Sequence, residues 1–320
     1  NPFNVTSIYL LIHWLERKWG VHFPKGGTTA LVDGMAQLME DIDVDVRYDT
    51  PVTGIEVDPS GRATAVETEG GGRVAAEFVV SNADPSWVYS KMIDERHLSR
   101  NTSGRIERMR QSMGLFVGYF GTDKTYPEVE HHTIVLGERY EELLEDIFER
   151  KVLADDFSLY LHRPTASDPD LAPDGHDCFY VLSPVPNNNS GIDWEAEGQR
   201  YFDRILDHLQ ERHLPGLGDH LTTNFYVTPN YFQTELRSVA GAGFGPEPRL
   251  SQSAWFRFHN TSEDVDGLYF VGAGTHPGAG LPGVVNSAKV LEKFVPAVDE
   301  AEEGGDRGAK RLFGLASGRW

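Results

Sequence analysis

Leu268-Tyr269-Phe270-Val271-Gly272-Ala273-Gly274-Thr275-His276-Pro277-Gly278-Ala279-Gly280-Leu281-Pro282-Gly283 reads as an apolar strand, a glycine-rich loop and the mouth of a helix. A loop with so few side chains lets its backbone come close to a phosphate or an aromatic ring. The helix that follows offers unpaired first-turn amides and the positive end of a dipole. Those are the requirements of a nucleotide-cofactor site. Gly272-x-Gly274 follows the strand, but Pro277 stands where the last glycine of G-x-G-x-x-G belongs, so this is not the dinucleotide fingerprint. Pro282 lacks an amide that would be free anyway, which leaves Gly283 and Val284 to face an electron-rich ring oxygen. Taken alone, the same residues also suit an ordinary surface loop.

Bulk properties narrow the field. At 320 residues with 39% hydrophobic side chains, the chain can bury one large core or two ordinary ones. Its 49 acidic against 29 basic residues give a net charge of -20, which repels nucleic acid and anionic lipid headgroups. Such a surface suits a high-salt cytoplasm as well as an ordinary acidic enzyme. Cys178 is the only cysteine, so no internal disulfide or thiolate zinc cluster can form, and a cytoplasmic location is the default. No apolar run approaches the roughly 20 residues of a membrane-spanning helix. The Asn-x-Ser/Thr triplets at Asn4, Asn101, Asn188 and Asn260 are read as chance.

Along the chain, Ile8, Leu11, Ile12, Leu15 and Trp19 share one helical face between Ser7 and Gly20. After the loop Phe23-Pro24-Lys25-Gly26-Gly27-Thr28, a second helix has the inner face Leu31, Met35, Leu38 and Met39. Alternation at Ile42, Val44, Val46 and Tyr48 predicts a strand, and Val52–Val57, Ala63–Glu67 and Val74–Val80 predict a meander around the turn Asp58-Pro59-Ser60-Gly61. Strands are expected at Leu115–Phe120, Phe157–Leu161, Cys178–Ser183 and Leu221–Val227, with helices at Tyr140–Phe148 and Trp194–Leu209. The order is meander, mixed section, then a final strand, loop and helix. It predicts an α/β (α+β mixed) fold in which a cofactor domain, 1–85 and 246–297, is interrupted by a mixed-sheet substrate domain, 86–245, with a frayed tail at 298–320.

Other candidate chemistry is weaker. Glu130-His131-His132 lacks an evident third ligand, and adjacent residues of a strand face opposite ways, so no metal is expected. Asp168, Asp170, Asp174 and Asp177 lack the glycine and terminal glutamate of a calcium loop. Phe116, Tyr119, Phe120, Tyr160, Phe179, Tyr180, Phe225 and Tyr226 are core residues by default, although alternation lets a subset line a channel for a long apolar ligand.

Read together, separated stretches carry a resemblance: Asn1-Pro2-Phe3 with Ser7-Ile8-Tyr9, Trp19–Gly27, Val80–Asp84, Asp156–His162, Val181–Pro186, Ser251–Arg257 and Leu268–Ala288. They resemble the bacterial-type phytoene desaturases, FAD-dependent carotenoid desaturases of the amine-oxidase-like flavoprotein superfamily. The resemblance implies a noncovalent FAD, a C40 or C30 carotenoid substrate, most readily phytoene, and transient work at a membrane surface by a cytoplasmic protein. It puts Gly272, Gly274, Thr275, Pro282, Gly283 and Val284 around the flavin and Val52 at the adenine end. Trp255, Arg257 and His276 are expected near ring or substrate, each with a plain structural role as the alternative. The incomplete Rossmann-like domain lacks the dinucleotide motif that such proteins carry upstream. A fragment that holds FAD weakly and is inactive alone is therefore expected. Carotenoid isomerisation, desaturation of a modified carotenoid, or an inactive binding module remain alternatives.

Overall fold

In a computed structural model, residues 1–5, 7 and 10–295 are described. The expected helix residue Ile8 and the tail from 298 lie outside them, as do the last positions of 246–297. Two helices open the chain, α1 (Leu10–Trp19) and α2 (Gly27–Asp41). Gly20, at φ 78, ends α1, and its amide reaches Glu16 O at 2.8 Å. The faces expected to point inward are covered only in part: Leu15, Leu31 and Met39 are half-buried, no residue of either helix is fully buried, and Leu11, Ile12, Trp19, Met35 and Leu38 are exposed. The strand expected over Ile42–Tyr48 is absent. Asp43 and Asp49 take left-handed backbone, Val44 N closes back on Met39 O at 2.9 Å, and alternation finds no ladder partner among the described residues.

The meander forms as β1 (Val52–Val57), β2 (Ala63–Thr68) and β3 (Gly72–Ala75), an antiparallel sheet. Its first turn is set by Asp58, whose carboxylate accepts from the amides of Ser60 and Arg62 at 2.8 and 3.0 Å. The single strand expected over Val74–Val80 divides, because β3 pairs back on β2 while β4 (Val79–Ser81) leaves for another sheet. Then come α3 (Pro85–Trp87), capped by Asp84, and α4 (Ser103–Glu107).

The inserted section holds β5 (Gly114–Thr122), β6 (His132–Val135), α5 (Tyr140–Glu145), β7 (Leu159–His162), β8 (Asp177–Val185), α6 (Trp194–Arg212), α7 (Leu217–His220), β9 (Leu221–Val227) and α8 (Pro229–Thr234). Its five strands run in the order β6-β7-β8-β5-β9, every neighbouring pair antiparallel, so the sheet is not mixed as expected. Asp193 caps α6, and Trp194, Tyr201, Phe202, Ile205 and Leu209 make its buried stripe. That stripe lies on Phe116, Phe120, Phe179, Val181, Leu159 and Leu161 of the sheet. The approach is tight at Gly118, where a Cβ would sit 2.3 Å from Phe202 Cε2.

The chain returns through β10 (Leu268–Phe270) and α9 (Leu281–Leu291). β10 pairs parallel with β4, and a second core forms there from Ile55, Val88, Tyr89, Ile93, Leu98, Ile106, Phe258, Val265, Leu268 and Phe270. Its apolar contacts continue well past residue 85. A polar knot reinforces the return: the Asp264 carboxylate accepts from the amides of Ser99, Arg100 and Asn101, the Ser99 hydroxyl and the Asn101 side chain. Burial pushes this carboxyl up, but the amides of Arg100, Ser99 and Asn101 outweigh it and hold it below its ordinary range.

Gly118→Ala should cost about 1–3 kcal/mol in urea unfolding by overpacking against Phe202, and an unchanged midpoint would refute that contact. Because the folded-state pKa of Asp264 is depressed, its contribution is present above the unfolded carboxyl value of about 4 and is lost as pH falls through the lower folded value. Asp264→Asn should therefore be less stable at pH 7 and lose less on acidification than the parent. Parallel stability-versus-pH curves for the two proteins would contradict this assignment.

Candidate cofactor site

The strand–loop–helix forms as the sequence suggests, with α9 starting at Leu281 and Gly280 as its cap. The parallel pairing continues past β10, because Val271 N donates to Ser81 O at 3.0 Å. This sets the two turns side by side. Gly272, at φ 93, faces Asn82, and a Cβ there would stand 2.1 Å from Asn82 Oδ1. A Cβ on Gly274 would stand 2.3 Å from Pro85 Cδ. Both glycines are therefore required by the neighbouring turn of the protein itself.

The loop is tied down by side chains from elsewhere. Gly272 N donates to Ser287 Oγ at 2.7 Å, and that hydroxyl donates to Val284 O, which moors α9 to the strand end. Thr275 is fully buried with its hydroxyl on Phe258 O at 2.8 Å, so its side chain does not face a ligand. Arg257 donates through Nε to Thr275 O at 2.9 Å and through Nη2 to Ala273 O. Buried Asn260 donates to Phe270 O at 3.1 Å and His276 O at 3.0 Å. Neither Asn260 nor Ser287 was among the expected site residues. Asn260 had only the glycosylation-like triplet as a sequence signal, and the burial of Asn260 and Asn101 is incompatible with that use.

His276 lies beside His259, ring centroids 5.9 Å apart. Burial lowers its pKa, with Arg257 and His259 adding to the effect, so the ring is neutral near pH 7. Trp255 is 71% exposed with its carbonyl accepting from His259 Nε2 at 2.9 Å, so it is not a core residue. Val52 starts β1, half exposed, at the end of the meander remote from the Arg62–Asp266 bridge. Asp84, beside Gly274, accepts from Ser86 N at 2.9 Å and Val239 N at 3.2 Å, and burial raises its pKa.

What stays open is the outer side of the loop. Pro277, Ala279, Gly280, Leu281 and Pro282 are exposed, and a Cβ on Gly280 would meet nothing within 4 Å. Val284 N is taken by Gly280 O at 2.9 Å, which corrects the expectation that this amide is free. The amides of Leu281 and Gly283 have no backbone acceptor among the described residues and sit at the positive end of α9. A flat, electron-rich ring system fits this strip: small residues admit it and the helix mouth favours its polar edge. The small residues and the two amides are compatible with the edge of such a ring system.

The inserted sheet adds a second surface. Phe116, Phe120, Phe179 and Tyr226 pack on the α6 side, whereas Tyr119, Tyr160, Tyr180 and Phe225 share the opposite face. There Tyr119 stacks on Phe225 at 4.7 Å and contacts Tyr180 at 5.9 Å, and Tyr180 meets Tyr160 at 5.5 Å. Burial pushes the phenols of Tyr119 and Tyr180 up, so both stay neutral.

Comparison with known proteins identifies the family and the fold. The chain is 46% identical over 307 residues to a neurosporene-forming phytoene desaturase of Rhodobacter capsulatus, covering 94% of this chain and 59% of that one. It is 47% identical over 296 residues to a lycopene-forming phytoene desaturase of Pseudescherichia vulneris, covering 92% and 60%. It thus spans about three-fifths of the length of these relatives. An oxidoreductase structure from Methanosarcina mazei superposes with a TM-score of 0.60 at 17% identity, over 89% of this chain and 58% of that one, and so supports the fold. Residues 4–290 match the flavin containing amine oxidoreductases, and the chain belongs to that family.

Proposed function

We propose that this chain serves in an FAD-dependent desaturase of an acyclic carotenoid, phytoene or a close C40 or C30 relative. The observation that carries the reading is the division of the sheet into a helix-packed face and an opposite face of aromatic rings. A carotenoid offers no charge and few polar atoms, so what a protein can give it is an extended apolar wall. Each new double bond removes two hydrogens from the carbon chain. None of the aromatic residues has to ionise for that. When bound, FAD supplies the two-electron acceptor.

In this reading Gly280, Leu281, Pro282 and Gly283 meet the flavin by backbone, whereas Gly272, Gly274, Thr275, Arg257 and His276 shape the loop that presents them. Arg257 is a positioning residue. Its guanidinium bridges two loop carbonyls, which a lysine ammonium on a single stem cannot hold in the same geometry.

We further propose that the protein works at a membrane surface through α1 and α2. Leu10, Leu11, Ile12, Trp14 and Trp19 are exposed on α1, and Lys18 Nζ lies 4.7 Å and 4.8 Å from the rings of Trp14 and Trp19. Exposed apolar side chains with Trp and Lys at the boundary are the composition of an interfacial helix. No described helix is long and apolar enough to cross a bilayer.

The full-length protein that contains this chain, loaded with FAD and given phytoene in liposomes, should form products with added double bonds, read by chromatography. Tyr180→Ala should cut turnover about tenfold or more while leaving flavin absorbance intact, a loss of roughly 1.4 kcal/mol in transition-state binding. Isomerised substrate alone, or no product, would overturn the assignment. Arg257→Lys should weaken FAD binding about tenfold by fluorescence titration, and an unchanged Kd would remove Arg257 from the loop's support. Trp14→Ala with Trp19→Ala should abolish cosedimentation with vesicles, and retained sedimentation would exclude α1 as the contact.

A further inference from the structure

Three histidine rings converge at one end of the aromatic face, outside the cofactor loop. His132 opens β6, His162 closes β7, and the antiparallel register sets them opposite each other. His131 precedes the strand, so strand alternation does not turn its ring away from His132. The ring centroids are 4.3 Å apart for His131 and His132, 4.7 Å for His131 and His162, and 5.3 Å for His132 and His162. His131 Nε2 and His162 Nε2 approach to 2.8 Å. One donor nitrogen from each ring lies within 4.8 Å of the other two. The two grounds against a metal in the sequence, opposite-facing rings and a missing third ligand, both disappear.

The surroundings are those of a ligand set. His131 Nδ1 is 2.6 Å from Ser167 Oγ and His132 Nδ1 is 2.6 Å from Tyr160 Oη, bonds that fix the orientation of both rings. His162 is 7% exposed, and its buried Nδ1 has no hydrogen-bond partner. One ring nitrogen of His162 thus stays unpaired whichever tautomer it adopts. Burial lowers both His131 and His162, the latter to about 4, so these rings are unprotonated near pH 7. The chain's net charge of -20 raises the local concentration of cations.

We propose that His131, His132 and His162 form a binding site for a divalent cation of the zinc, cobalt, nickel or copper class, with water completing the coordination. Imidazole nitrogens favour these ions over calcium or magnesium. Zinc–nitrogen bonds of about 2.0–2.1 Å in a tetrahedral site need nitrogens about 3.3 Å apart. His131 and His162 must therefore part slightly from 2.8 Å, and the remaining separations, at most 4.8 Å, must close. The ion would fasten β6 to β7, against which the loop between α1 and α2 packs. The Phe23 ring of that loop lies 4.7 Å from His131 and 5.7 Å from His162, and Gly26 N donates to Asp168 Oδ2 at 2.7 Å.

Untagged, chelator-stripped protein titrated with CoCl2 should take up one equivalent, with the visible bands of a low-coordinate cobalt–imidazole centre that ZnCl2 then abolishes. His132 is exposed, so His132→Ala should fold as the parent does by circular dichroism and bind cobalt at least 100-fold more weakly. Tyr160→Phe, which removes the hydroxyl that partners His132 Nδ1, should weaken binding about 10–100-fold. Failure to bind cobalt or zinc below millimolar concentration would overturn the site. So would stoichiometric binding that His132→Ala leaves unchanged, because another histidine would then hold the ion.

Discussion

Everything at the cofactor loop depends on three residues of β4 pairing parallel with three of β10. Parallel strands cannot be joined by a tight turn, so their connection must leave the sheet and return. Here the connection is the entire five-stranded section with its helices. Closing so long an excursion costs little more than closing a short one, since the entropy grows only with the logarithm of length. What the pairing secures is local: Leu268 and Phe270 become fully buried, Val271 bonds Ser81, and the Gly272 and Asn82 turns come into van der Waals register. The Asp264 knot makes the same junction a second time in polar form, with five donors from Ser99, Arg100 and Asn101 on one carboxylate.

Strong periodicity was legible wherever the partner surface lies in the described chain. The α6 stripe, β5, β8 and β9 and the β1–β2 turn stand where their residues indicate, because each pattern meets the sheet or helix it was shaped for. The same patterns misled at Ile42–Tyr48 and on the faces of α1 and α2, where Leu11, Ile12, Trp19, Met35 and Leu38 are left exposed. Val74–Val80 misled for another reason: an apolar run does not reveal that it changes sheets midway. At the site, the glycine spacing exposed the loop, but nothing local revealed that Asn260 and Ser287 hold it, since their partners are backbone atoms brought near by folding.

The inserted sheet explains why its aromatics could not be sorted beforehand. Alternation assigns residues to two faces but does not say which face the helix covers. Gly118 and Gly198 decide it, by admitting Phe202 to the sheet and Tyr226 to the helix without a Cβ in the way. With that side closed, Tyr119, Tyr160, Tyr180 and Phe225 are left on the other, and the register that aligns them also brings His162 opposite His132. One pairing pattern thus produces both the apolar wall and the histidine cluster at its end.

The loop from Gly272 to Gly283 poses a problem that its own residues cannot solve. Glycine, proline and alanine bring the backbone close to a ligand but contribute no side-chain donors, and unpaired carbonyls near a buried site are costly. Arg257 serves the carbonyls of Ala273 and Thr275, and Asn260 serves those of Phe270 and His276. Residues that look like catalytic candidates by type are thereby engaged in holding backbone shape. They act through the position of the loop, whose outer side carries the exposed small residues and the two amides at the mouth of α9.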